Sequence, residues 1–216
     1  MNFFRKNFDL LIFPAAILAL AVTLYLSGIA RVPYLELSAA LLLITARSMQ
    51  KREMPTGLVI SIVGNATLVY YFALLNLPGQ IALCTFAIIM NDAALYSWLV
   101  PNTKTHKIIR PTFLHPLLQA AIVLTVAALA AFGAITRGTI GALDYFTMTC
   151  GIIGIILLVR KKTECWAMYT AGDSGGIALF WLTGSYLMMA TVFIYIYTDI
   201  SAFFRWRTEF RKLKKK

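Results

Sequence analysis

Asn65, Asn91, Asp92, Asp173 and Asp199 all sit inside stretches that are otherwise almost wholly apolar. A carboxylate at the centre of a membrane helix costs at least about 2.5–3.5 kcal/mol on insertion scales, so such groups usually face a bundle interior or a watery cavity. There they can hold a polar ligand, carry a proton, or bond one helix to another. Trp166, Tyr169 and Asp173 are spaced three and four apart, which puts them on one helical face. An indole, a phenol and a carboxylate on one face can stack a planar ring and bind its hydroxyls or its positive charge. Plain packing of the two aromatics is the competing reading. Asp199 lies nearer a helix end, where it could pair with Arg205 or Lys212, and Asp92 could pair with a loop base. Tyr71, Phe72, Tyr96, Trp98, Trp181 and Tyr195 are further aromatics in the same stretches, whereas Trp206 reads as an interfacial anchor. Gly172, Gly175 and Gly176 flank Asp173 and permit close approach of a neighbouring helix or ligand.

Other chemistries find little support. The chain has no HExxH, no nucleophile–base pair and no spacing typical of a metal site. An enzyme is therefore not expected, nor is a cofactor. Cys84, Cys150 and Cys165 fall in or beside apolar runs without CxxC spacing and read as small packing residues. The net charge of +11 invites a nucleic-acid reading, but the basic residues sit between apolar runs and in the tail, as membrane topology requires.

The elements that must position these residues are apolar runs at 9–28, 34–49, 56–75, 79–99, 113–135, 142–159, 164–183 and 185–205. Of the 216 residues, 60% are hydrophobic and 13% charged, too little polar surface to cover a water-soluble globule. With about 20 residues per crossing, the expectation is an all-α polytopic membrane protein of eight spanning helices filling a single membrane domain, 1–216. The first run follows Arg5 and Lys6 and has Gly28 and Ala30 near its end, as a signal peptide would; its length suits a retained first helix better. With the N-terminus inside, eight crossings place all basic residues except Arg31 and Arg137 on the cytoplasmic side. That count includes Arg47, Lys51 and Arg52 in one loop, Lys104, Lys107 and Arg110 in another, and Arg160, Lys161 and Lys162 in a third. Such asymmetry supports cytoplasmic N- and C-termini.

Sliding the chain against itself by half its length aligns Glu36 with Asp144, Arg52 with Arg160, Gly64 with Gly172 and Asn65 with Asp173. It also aligns Phe72 with Phe180, Asn91 with Asp199 and Trp98 with Trp206. Polar positions are rare in membranes, so their coincidence carries the weight. Four crossings separate the equivalents, so the repeats run parallel. The expected layout is an extra helix (9–28), a three-helix repeat (34–99), a linker helix (113–135), a second three-helix repeat (142–207) and a basic cytoplasmic tail (208–216). Asn65 with Asp173, and Asn91 with Asp199, would then face each other across the repeat interface, where transporters commonly bind substrate.

The stretch VRKKTECWAMYTAGDSGGIALF resembles the second-repeat motif of the PnuC family of bacterial vitamin transporters, with Glu164, Trp166 and Asp173 in place. Tyr169 stands where that family usually has Trp, and Cys165 where it has Asn; the first half lacks a family-like Trp near residues 54–58. Trp98 and Trp206 resemble the tryptophans that close the two family repeats. The resemblance covers about residues 34–210. It implies a SWEET-like three-plus-one-plus-three core in the bacterial inner membrane, and facilitated diffusion of an unphosphorylated vitamin precursor. Nicotinamide riboside is the commonest substrate in the family; thiamine, riboflavin and nucleosides are the alternatives. Together with the polar positions and the repeat, the expected substrate-binding residues are Asn65, Phe72, Asn91, Trp98, Trp166, Tyr169, Asp173 and Asp199. A proton-coupled transporter and a non-transporting scaffold are the competing classes. The expected partners are the vitamin and the lipid bilayer, with no nucleic acid; a homo-oligomer is compatible with the sequence.

Overall fold

The computed structural model of the chain describes residues 2–26, 34–99 and 112–214. Gly28, Ala30, Arg31, Lys104, Lys107, Arg110, Lys215 and Lys216 lie outside the described residues, as do the side chains of Arg5, Lys6 and Lys214. The structure is helical: α1 (Asn2–Leu26), α2 (Tyr34–Gln50), α3 (Thr56–Leu74), α4 (Pro78–Leu99), α5 (Pro116–Val159), α6 (Glu164–Leu182) and α7 (Tyr186–Lys214).

Two apolar runs of the sequence fall within α5, and the helix is not straight. Arg137 (φ −139°, ψ 15°) and Gly138 (φ 64°, ψ −151°) leave helical geometry and turn the chain back. On a straight helix Phe132 and Tyr145 would stand about 20 Å apart; here their ring centroids are 5.7 Å apart, edge to face. The arms touch through glycine, since a Cβ on Gly133 would collide with the carbonyl of Gly141. The loop expected between residues 135 and 142 is thus compressed into two non-helical residues.

Among the described residues, four helices are long and apolar enough to cross a membrane by length and composition: Thr56–Leu74, Pro78–Leu99, Pro116–Val159 and Tyr186–Lys212. Helices α2 and α6 fall short for identifiable reasons. Helix α2 is 17 residues long and carries Glu36, Arg47 and Gln50. Helix α6 carries Glu164, Asp173, two threonine or serine hydroxyls and three glycines, which lower its hydropathy. Both lend polar groups to the interior.

The half-length offset also aligns backbone features. Glu53 and Lys161, 108 residues apart, both have positive φ (58° and 49°) and are joined by a 2.9 Å ion pair. Asn76 and Gly184, at the same offset, have φ of 59° and 72°. Glu36 accepts a hydrogen bond from the backbone N–H of Met188 (2.8 Å), and Asp144 accepts from Gly79 (2.9 Å) and Gln80 (3.1 Å). Each buried acid thus satisfies the free N–H groups at the start of a helix in the other half of the chain, where the helix dipole favours negative charge. Gly79 makes this approach possible, because a Cβ there would lie 2.8 Å from the Asp144 carboxyl.

Asp144→Ala strips two buried N–H donors of their acceptor and should cost about 2–3 kcal/mol. The check is a lowered unfolding midpoint in detergent, with Lys212→Ala, on an exposed tail ion pair, leaving it unchanged.

Candidate substrate cavity

A cavity of about 140 Å³ lies between the two halves. Its wall draws on α2, α3, α4, the second arm of α5, α6 and α7. Among the described residues, α1 and the first arm of α5 contribute nothing to it.

One side of the wall is neutral and amide-lined. Asn65 donates from Nδ2 to the Ser61 carbonyl (2.7 Å) and to Ser61 Oγ (3.1 Å). Asn91 donates from Nδ2 to the same Oγ at 2.9 Å. With both amide nitrogens used on Ser61, each amide still has its oxygen as an acceptor for a ligand.

Another part of the wall is charged. Arg47, in the last turn of α2, reaches into the bundle and pairs with two carboxylates. Its Nη2 donates to Asp173 at 3.1 Å and to Asp199 at 3.0 Å, and its Nε lies 2.9 Å from the second Asp199 oxygen. The guanidinium carbon sits 3.9 Å from the Tyr169 ring centroid and 5.1 Å from that of Tyr195. Cation–π attraction of this kind strengthens when the groups are removed from water. The Tyr195 hydroxyl is buried without a hydrogen-bond partner among the described residues. Phe72 and Phe180, equivalent by the half-length offset, stack at 5.9 Å with planes 6° apart and add an apolar aromatic wall.

Among the residues singled out from the sequence, Asn65, Phe72, Asn91, Tyr169 and Asp173 line the cavity. Asp199 stands behind Arg47 with its side chain fully buried. Trp166 is also fully buried, but against Trp206 (5.3 Å, edge to face) and away from the cavity wall. Trp98 lies off the wall too, under the ammonium of Lys161 at 4.7 Å. Trp206 is 0% exposed, so it packs in the core where the sequence suggested an interfacial anchor. Cys84, Cys150 and Cys165 are free and buried.

Two polar pairings differ from expectation. The asparagines meet at Ser61, and the aspartates meet at Arg47. The link across the halves is therefore ionic and runs through Arg47. Sequence reading placed Arg47 with the cytoplasmic loop charges, because it lies close to Lys51 and Arg52. Asp199 pairs with Arg47 in place of Arg205 or Lys212, and Lys212 pairs with Glu209 at 2.8 Å. The one hint of Arg47 in the sequence is that it falls within the apolar run at 34–49.

The comparisons with known proteins agree on the kind of chain this is. No curated protein matches it at a significant level. The crystal structure of the vitamin B3 transporter PnuC superposes with a TM-score of 0.72 at 13% identity, covering 92% of this chain and 88% of that one. At that identity the likeness speaks for the fold. Residues 33–208 match the sequence profile described as nicotinamide mononucleotide transporter. The match takes in every wall of the cavity, and the chain belongs to this family, the PnuC family of membrane transporters.

Proposed function

We propose that the chain is a facilitated-diffusion transporter for a planar, cationic, unphosphorylated vitamin precursor, with nicotinamide riboside as the leading substrate. The observation that carries this reading is the pairing of carboxylates with an aromatic face at one cavity: Asp173 on the wall beside the rings of Tyr169 and Tyr195, and Asp199 behind the Arg47 guanidinium that covers them. Nicotinamide riboside has a flat cationic ring, a carboxamide and a ribose. The ring suits the tyrosines and carboxylates, and the hydroxyls and carboxamide N–H suit the amide oxygens of Asn65 and Asn91. Thiamine, also a planar cation, is the second candidate. Asp199 contributes to the charge of the site through Arg47, and Trp98 and Trp166 support the wall by packing.

The charge balance favours a riboside over a mononucleotide. Among the described residues, Arg47 is the sole cation on the cavity wall, and two carboxylates already engage it. A phosphate would enter next to uncompensated negative charge, which disfavours it.

The topology proposed for transport is eight crossings in the bacterial inner membrane with both termini cytoplasmic. The helical reversal at Arg137–Gly138 supports the eighth segment, and the recurrence of positive φ and of cross-capping acids supports two parallel repeats in a SWEET-like core. Purified protein in liposomes tests the function. Labelled nicotinamide riboside should equilibrate across the bilayer, saturably, and to the same final level with or without a pH gradient. Accumulation driven by the pH gradient would favour the proton-coupled alternative, and absence of flux would sink the proposal.

A further inference from the structure

Arg47 has no task in the transport reading beyond lowering the charge of the site, yet it makes the contacts a substrate would need. Its guanidinium is a flat, delocalised cation. It lies over the Tyr169 ring at 3.9 Å and hydrogen-bonds both Asp173 and Asp199. We propose that Arg47 is a tethered competitor: its guanidinium occupies the cation subsite formed by Asp173, Asp199 and Tyr169, and a planar cationic substrate binds by displacing it. The inference rests on the proposed transport of such a cation and adds a step to it.

Charge supports displacement over co-occupancy. Two carboxylates and one guanidinium give the cluster a formal charge of about −1. A monovalent cation that replaces the guanidinium leaves that charge unchanged. A cation placed beside Arg47 would stand against another cation within the same few ångströms. A neutral ligand that displaced Arg47 would leave two buried carboxylates unpaired, which is strongly unfavourable. The tether therefore sets a threshold that only a cation with suitable donors can pass.

A second resting place for the guanidinium is at hand. Arg47 is in the last turn of α2, three residues before Gln50 ends the helix. The carbonyls of Arg47, Met49 and Gln50 already accept backbone N–H groups of the following turn, but the negative end of the helix dipole still favours a cation there. Arginine's long flexible side chain allows its head group to move there without shifting the backbone. No position equivalent to Arg47 exists in the second half: the half-length offset places Ile155 there. The tether therefore acts from one half on acids of the other, so its release also loosens a link between the halves.

The test uses the full-length protein in lipid nanodiscs and compares wild type with Arg47→Met and Arg47→Lys. Calorimetric titration with nicotinamide riboside should show Arg47→Met binding at least tenfold more tightly than wild type. Arg47→Lys should fall between them, because an ammonium stacks and chelates less well than a guanidinium. Should the Met variant fail to fold, the Lys variant carries the same sign. Millimolar methylguanidinium should raise the unfolding temperature of Arg47→Met, compete with the riboside there, and leave wild type unchanged. Weaker riboside binding in both variants, or a folded Arg47→Met that methylguanidinium does not stabilise, overturns the inference. If methylguanidinium stabilises the variant but no vitamin binds either protein, the tethered cation stands and the vitamin reading fails.

Discussion

Asp173→Asn should weaken nicotinamide riboside binding roughly 10–150-fold, the equivalent of about 1.5–3 kcal/mol for a hydrogen bond to a charged group. The asparagine is nearly the same size, so the cavity keeps its shape and the protein its fold. What changes is the charge. Asp173 contributes one of the two carboxylates that meet at Arg47, through a 3.1 Å contact from α2 to α6. With asparagine in its place, Arg47 balances Asp199 alone and the cluster loses its attraction for a cation. Calorimetric titration gives the affinity directly. An unchanged dissociation constant would mean that the substrate does not use this carboxylate.

Gly154→Ala should reduce riboside affinity by about tenfold while lowering stability by no more than about 2 kcal/mol. Gly154 is on the second arm of α5 and is absent from the cavity wall. A Cβ there would lie 2.7 and 2.8 Å from Cε1 and Cδ1 of Tyr169. The ring must move, and it has little freedom: the Arg47 guanidinium covers one side, and Trp166 stands 6.0 Å away. The substitution therefore shifts the aromatic face without altering the chemistry of any wall residue. Alanine also favours a helix over glycine by about 1 kcal/mol, which offsets the strain. Titration beside a thermal melt separates the two effects. Intact affinity would indicate that the position of the Tyr169 ring is not part of the site.

Much of the architecture was legible because lipid-facing helices must be apolar along their whole length. The runs at 56–75, 79–99 and 164–183 lie within a residue or two of α3, α4 and α6. The reversal within α5 was legible as a gap between two runs, although its tightness was not, since that depends on Gly133 and Gly141 letting two arms touch. The polar residues marked the cavity because burying them is costly, and Asn65, Asn91, Tyr169 and Asp173 meet there.

Arg47 was missed for a physical reason. A basic residue near the end of an apolar run normally marks the membrane surface. Its true partners lie 126 and 152 residues away, and no local pattern exposes a contact of that kind. The tryptophans show a related weakness. Trp166 shares a helical face with Asp173, but sits about 10 Å along the helix from it. At that level Trp206 fills the space that a ligand would need. Helical spacing gives the face, while depth along the axis depends on what the opposite helix presents.

The most direct test compares nicotinamide riboside with nicotinamide mononucleotide by titration of the purified wild-type protein. The cavity wall has one carboxylate, Asp173, with a second, Asp199, behind Arg47, and it has no cation that is not already paired, among the described residues. The account predicts saturable one-to-one binding of the riboside, at least about 100-fold tighter than that of the mononucleotide. Equal or tighter binding of the mononucleotide, or no binding of the riboside, would contradict it.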